Sequence, residues 1–413
     1  MDLIIGAGVS GLSYANFCGH DNYIIIEKDS KIGGYCKTVK QDGFTWDYSG
    51  HFFHFRNKEI KDYLLKEMKG QEILDVKKFT QIFYKHYYVD FPFQKNIHQL
   101  PKEEFIDCLY DLFNNNYNDE SSFKKMLYTK FGKSIAEKFL IPYNEKLYAC
   151  DLDNLDEDAM GRFFPYADKE EIIKNFRNPD NFSYNTHFTY PKGGAIEYVN
   201  SLYRRVNKNN VFLNEELISL DVTNKTALTN KREIKYDRLI SSMPFTTLLN
   251  KTNTPYNKAI YSWNKVLVFN LGFDKKGKDK VNNWVYFPEK EYCFYRIGYY
   301  DNIFSDDRLS LYVELGFDKS ADVDPENYLG IVIEDLKKAG IIEDHKLISH
   351  VKILMDPAYV HVSKESEVDK VRIQKEMSEH FIYSIGRYGD WKYCSIEDNI
   401  IEAKELATNI KNG

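Results

Sequence analysis

Gly6, Gly8 and Gly11 stand in the order G-x-G-x-x-G, and Glu27 follows about twenty positions on. Glycines at that spacing allow a tight turn, bring backbone N–H groups up to a pyrophosphate, and let a helix pack close to a strand. An acid at that distance can accept hydrogen bonds from adenosine ribose hydroxyls. The chemistry in view is therefore the binding of a dinucleotide. No Ser-His-Asp set or carboxylate pair stands out as a protein nucleophile or an acid–base couple. The six cysteines, at 18, 36, 108, 150, 293 and 394, have neither C-x-x-C nor metal-ligand spacing and read as free thiols, with no metal site.

Such a loop works only between the right elements, and the flanking residues supply them. Asp2-Leu3-Ile4-Ile5 reads as a buried strand, Leu12-Ser13-Tyr14-Ala15 begins a helical pattern, and Tyr23-Ile24-Ile25-Ile26 is a second strand ending on Glu27. Ile32-Gly33-Gly34 and Asp47-Tyr48-Ser49-Gly50-His51 follow in an order that resembles the glutathione-reductase-type FAD proteins, which favours FAD over NAD. Gly33-Gly34 alone would read equally well as a simple turn.

Residues 81–93 alternate as a hairpin. Phe105, Cys108, Leu109, Leu112 and Phe113, then Phe123, Met126, Leu127 and Phe131, fall at helical spacing, the second run stopping at Gly132. A third helix over 134–139 is expected to break at Pro142. Further expectations are a helix through Arg205, hairpin strands over 211–228, strands at 265–273, 283–288, 292–299 and 309–316, and a helix near 325–338. The charged stretch 274–280 reads as a solvated hairpin tip. A strand running into a turn at 381–387 and a terminal helix over 396–410 complete the chain. The fold class is α/β: a Rossmann-like FAD domain (1–74, 190–246, 376–413), a helical-bundle insertion (96–180) and an antiparallel-sheet domain (75–95, 181–189, 247–375).

Composition narrows the partners. A net charge of −6 argues against a nucleic-acid or membrane-surface binder, so an anionic ligand needs locally placed arginines. With 32 Tyr and 28 Phe, ring-lined surfaces and simple compositional drift fit equally. No apolar run reaches the roughly 18–20 residues of a membrane span, and the loop motif begins too early for a leader segment, so a cytoplasmic location is expected.

Several stretches together resemble the UDP-galactopyranose mutases, particularly the eukaryotic form. They are Ser49-Gly50-His51, Phe91-Pro92-Phe93-Gln94-Lys95-Asn96-Ile97 with Leu100-Pro101-Lys102-Glu103-Glu104, Pro142-Tyr143-Asn144 and Gly161-Arg162. Phe188-Thr189-Tyr190-Pro191 before Gly193-Gly194, Trp284-Val285-Tyr286-Phe287-Pro288, Phe294-Tyr295-Arg296 and Gly386-Arg387-Tyr388-Gly389-Asp390-Trp391-Lys392-Tyr393 follow in the family's order. The resemblance implies an FAD-dependent pyranose–furanose mutase with UDP-galactose as the default substrate and a role in cell-surface glycan biosynthesis. Reduced flavin N5 attacks the anomeric carbon with no net redox change, and NADPH or NADH serves as reductant. It implies Arg162, Arg296 and His51 as catalytic residues, the arginines on the diphosphate and the histidine beside the isoalloxazine. Gln94, Phe139, Tyr143, Asn144, Asn185, Trp284, Tyr286, Tyr359 and Tyr393 fall on the substrate side. Gly6, Gly8, Gly11, Glu27, Gly33, Gly34, Gly50, His51, Gly386 and Arg387 fall on the cofactor side. By type alone, either arginine could be a surface ion-pair partner, and Phe139 and Tyr143, four apart, could be core.

The chain also departs from that family. Phe91 stands for a tyrosine, Ser49 for a glycine, Val360-His361-Val362 for a proline-rich run, Ile303 for a ring hydroxyl, and the tail Ser395-Ile396-Glu397-Asp398-Asn399 differs. These changes crowd the sugar and flavin side, leaving the sugar open. A net-redox flavin oxidase of the amine-oxidase or protoporphyrinogen-oxidase type is the alternative enzyme, and a flavin-binding scaffold the non-catalytic one. Homo-oligomerisation is left open.

Overall fold

The computed structural model describes residues 1–179 and 186–412. The parallel sheet runs Ile382–Ser384, Arg238–Ser241, Asp2–Ile5, Tyr23–Glu27, Val211–Leu213, with the first two strands of the chain at its centre. All four residues of Asp2–Ile5 are buried, as a strand covered on both faces must be. Helix Val9–Phe17 and the terminal helix Ile396–Asn412 cover one face around Leu12, Tyr14, Ala403 and Ala407. Val211–Leu213 joins this sheet beside Tyr23–Glu27, which corrects the expected hairpin over 211–228; only Leu217–Asp221 and Thr226–Thr229 pair as one.

A second, larger sheet runs Leu347–Met355, Ser262–Phe273, Ser310–Asp318, Arg296–Tyr299, Trp284–Tyr286, Thr80–Tyr84, Tyr87–Asp90, antiparallel except where Trp284–Tyr286 meets Thr80–Tyr84. Ser262–Phe273 and Trp284–Tyr286 are therefore not neighbours, so 274–280 is no hairpin tip. Lys276 instead reaches back to the buried Asp301 at 2.7 Å. One face of this sheet packs on helix Glu326–Lys338 through Val332 and Leu336; the other shares a core with the helical segments 102–177.

Within those segments Gly132 takes φ +74°, and a Cβ there would lie 2.5 Å from Asp111 O, so glycine permits the close crossing of helix Lys102–Phe113. The chain does not break at Pro142. A π-turn over Ala136–Leu140 leads directly into helix Ile141–Tyr148, with Pro142 in its first turn, where a missing N–H costs little. Helix Lys364–Glu379, capped reciprocally by Ser363 and Ser366, was not anticipated from the sequence. Among the described residues no helix is long and apolar enough to cross a membrane, and no group of three His, Cys, Asp or Glu could hold a metal.

Candidate active site

Strand Asp2–Ile5 delivers the glycine loop to the start of helix Val9–Phe17. A Cβ on Gly11 would lie 2.0 Å from Gly6 O, so only glycine lets the helix begin this close to the strand. Gly8 faces Gly34, where a Cβ would stand 3.8 Å from the opposing Cα, and Gly33 N–H donates to Ala7 O at 2.9 Å. Glu27 lies beneath the loop, accepting from Ala7 N–H at 2.8 Å and Asp29 N–H at 2.9 Å. The Gly386-Arg387 turn meets the same place. Asn399 Oδ1 accepts from Ser10 Oγ and Arg387 N–H, and a Cβ on Gly386 would reach within 2.3 Å of Ser10 Oγ. Bare backbone, a helix N-terminus and a buried acid together form a cradle that fits the phosphates and ribose of a dinucleotide.

Next to it opens a cavity of about 280 Å³ between loop 50–55, the helical segments and the large sheet. Phe139 and Tyr143 stack at 5.3 Å across the π-turn, and Tyr143 meets Tyr286 edge-on at 5.0 Å. Trp284 Nε1–H donates to Tyr286 OH at 2.8 Å. Opposite them, Tyr359 and Tyr393 stack at 5.8 Å, and the Arg387 guanidinium lies 5.0 and 4.6 Å from their ring centres. His51 Nδ1 and Asn144 Oδ1, on two residues of the lining, are buried without a hydrogen-bond partner among the described residues.

The charge of the lining is one-sided. Among the described residues, Lys78, Arg162, Arg296 and Arg387 line the cavity against one carboxylate, Glu397, whose oxygens accept from the backbone N–H groups of Arg56 and Asn57. Burial lowers the Lys78 pKa to about 8. Burial, with Arg387 nearby, takes His51 down to about 4, and burial does the same to His54, so both rings are neutral at pH 7. Arg296 opens a strand of the large sheet directly opposite Glu314 on the next, and Glu314 accepts from Nε at 2.6 Å and Nη2 at 3.0 Å. Burial, the largest influence, opposes the charge on Arg296, but Glu314 together with Tyr359, Tyr312 and Tyr143 outweighs it and holds the pKa above its ordinary value. Arg162, in the 3-10 turn Gly161–Phe163, donates Nη2–H to both oxygens of Asp398 at 2.6 Å. Asp398 is also held by Ser395 N–H at the start of the terminal helix.

Of the residues expected on the substrate side, Phe139, Tyr143, Asn144, Trp284, Tyr286, Tyr359 and Tyr393 share this cavity with His51, Arg162 and Arg296. Gln94 does not line it: the side chain is buried behind the wall, with Nε2 donating to Pro165 O. Asn185 lies outside the described residues. Lys78, His54, Tyr312 and Glu314 belong to the site or brace it and were not singled out from the sequence, and Asp398 stood out only within the tail that departs from the resembled family. Arg296 meets Glu314 through the register of two paired strands, which no residue spacing sets.

The model of the flavin containing amine oxidoreductase family matches residues 12–352. Among solved structures, the chain is similar to a reduced UDP-galactopyranose mutase, with a TM-score of 0.91 and 24% identity over all of this chain and 93% of that one. It is also similar to a putative protoporphyrinogen oxidase from Exiguobacterium sp. 255-15, with a TM-score of 0.80 and 15% identity over 100% and 98% of the two chains. Cyclohexylamine oxidase from Brevibacterium oxydans IH-35A has a TM-score of 0.69 and 12% identity over 100% and 98%. At such identities these likenesses establish a shared fold.

Proposed function

The chain belongs to the flavin containing amine oxidoreductase family, and from that premise we propose that it binds FAD and, with the flavin reduced, interconverts the pyranose and furanose forms of a nucleotide-sugar, UDP-galactose by default. The observation that carries this reading is the meeting of Arg162 and Arg296, from separate elements, in one ring-lined cavity beside the dinucleotide cradle. Bound reduced flavin supplies the nucleophile for the anomeric carbon, so the chain needs none of its own. Its residues have other tasks. Arg162 and Arg296 offer guanidinium forks to the two phosphates and stabilise the charge on the departing diphosphate. Phe139 and Tyr143 give the base a ring face, and Asn144 Oδ1 a buried acceptor for a base N–H. Tyr359 and Tyr393, held by Arg387, wall off water on the sugar side.

Family membership and the fold shared with a protoporphyrinogen oxidase favour a second reading, a net-redox oxidase. The lining cations weigh against an amine substrate, because among the described residues Lys78 and Arg387 would repel a protonated amine, while Asp398 and Glu314 are already paired with Arg162 and Arg296 and Glu397 with backbone N–H groups. The test is anaerobic incubation of dithionite-reduced, FAD-loaded protein with a panel of nucleotide-sugars, separating the products by chromatography. Conversion of UDP-galactofuranose to UDP-galactopyranose supports the mutase; oxidation of an amine panel under air with every nucleotide-sugar unchanged overturns it.

A further inference from the structure

Ser49 has φ +115°, a backbone region that L side chains rarely adopt. Its place is strategic: it precedes Gly50 and His51, which line the cavity, and follows Asp47, whose carboxylate is held by Thr38, Tyr190 and Ala195 N–H. Gly50 leaves the loop no slack, since a Cβ there would lie 2.6 Å from Tyr312 OH. A serine in this conformation is retained where its side chain offsets the strain. Here the hydroxyl donates to Glu314, on the same oxygen that accepts from Arg296 Nη2. Glu314 is 1% exposed, and Ser49 and Arg296 are the only side chains whose hydrogen bonds to it are described. The Ser49 carbonyl, in turn, accepts from Tyr300 OH at 3.3 Å.

We propose that Ser49 is a positioning residue for Arg296: through Glu314 it fixes the plane of the guanidinium so that the N–H groups not used by Glu314 face the cavity. This rests on the reading of the cavity as a nucleoside diphosphate site. With two donors on one carboxylate, Glu314 cannot rotate without losing one of them, and Arg296, bound through Nε and Nη2, follows Glu314. On that reading the loop beside the flavin and the cation beside the phosphates are tied together, while Ser49 itself is not among the residues that line the cavity. The tie makes the affinity for a diphosphate sensitive to a hydroxyl behind the wall.

The experiment uses FAD-loaded full chain, Ser49→Ala and Ser49→Gly, each titrated with UDP by calorimetry and each crystallised without nucleotide. Alanine removes the hydroxyl and keeps the strained φ; glycine removes both. The expected result is a similar loss of UDP affinity in both variants, about tenfold, the scale of one hydrogen bond to a charged group. Flavin content should stay normal, and Glu314 should be turned from its wild-type position, with the Arg296 guanidinium still paired to it and turned with it. Wild-type affinity in both variants, or an Arg296 that has not moved, overturns the proposal. So does a Ser49→Gly that binds more tightly than wild type while Ser49→Ala binds more weakly, because strain and not the hydroxyl would then be decisive. If wild type itself does not bind UDP, the nucleotide reading fails, and the two crystal structures alone decide whether Ser49 holds Arg296.

Discussion

Removing either arginine of the cavity should cost about the same in turnover and very different amounts in stability. Arg162 is 34% exposed and its partner Asp398 27%, and Asp398 keeps its bond from Ser395 N–H when the arginine is gone. Arg162→Ala therefore breaks a pair of the exposed kind, at about 0–1 kcal/mol. Arg296 is 19% exposed against a Glu314 that is 1% exposed, so Arg296→Ala leaves a buried carboxylate with only the Ser49 hydroxyl. Breaking such a pair costs roughly 3–5 kcal/mol. Turnover should fall on the order of 100–1000-fold in both, since each loses one donor to the charge developing on the leaving group. Arg296→Ala combined with Glu314→Gln should regain most of the stability and none of the activity, because the buried charge is gone and the donor is still missing. The assay is thermal unfolding followed by release of flavin fluorescence, paired with turnover on the nucleotide-sugar by chromatography. An Arg296→Ala protein as stable as Arg162→Ala, or either variant within a few-fold of wild-type turnover, would refute the reasoning.

Asp398→Asn should bind UDP a few-fold more tightly by calorimetry, because the phosphates no longer compete with a carboxylate for Arg162; weaker binding would show that Asp398 orients the arginine instead. Gly11→Val should yield protein that does not retain flavin after gel filtration, since a Cβ cannot fit 2.0 Å from Gly6 O; a yellow variant with wild-type flavin content contradicts the cradle. Burial lowers the His361 pKa from 6.5 to about 4, while the ring bonds Tyr148 O at 2.9 Å. The unfolded chain takes up that proton near pH 6.5 and the folded chain resists until about pH 4. His361 should therefore remove stability as pH falls through that window, on the order of 3 kcal/mol by its lower end. His361→Gln should flatten that part of the melting-temperature profile, and an unchanged profile would assign the acid sensitivity to other groups.

What the sequence made legible was local. Strand, glycine loop, helix, strand and acid fall within one short unit, so each residue's neighbours in sequence are also its neighbours in space, and Glu27 lies under Ala7 as the spacing implies. The helix over 326–338 and the terminal helix were readable for the same reason. Pro142 misled because proline's cost depends on where a turn begins, and the π-turn at 136–140 makes it a first-turn residue. Val211–Leu213 looked like half of a hairpin because alternation does not say which sheet a strand joins. Arg162 and Asp398 are 236 residues apart, and Ser49 and Glu314 are 265 apart, so no spacing rule could have joined them. The carboxylates that brace the two arginines were invisible until the fold brought them together.

In the proposed reaction the flavin acts without net oxidation of the substrate. The most direct measurement is product formed per reducing equivalent: FAD-loaded protein is reduced anaerobically with a known amount of dithionite and given excess UDP-galactofuranose. UDP-galactopyranose is then counted against the electrons supplied. Many turnovers are expected for each electron pair, with the flavin still reduced when substrate is exhausted. One product per electron pair, or turnover only with oxidised flavin and oxygen, would contradict that expectation.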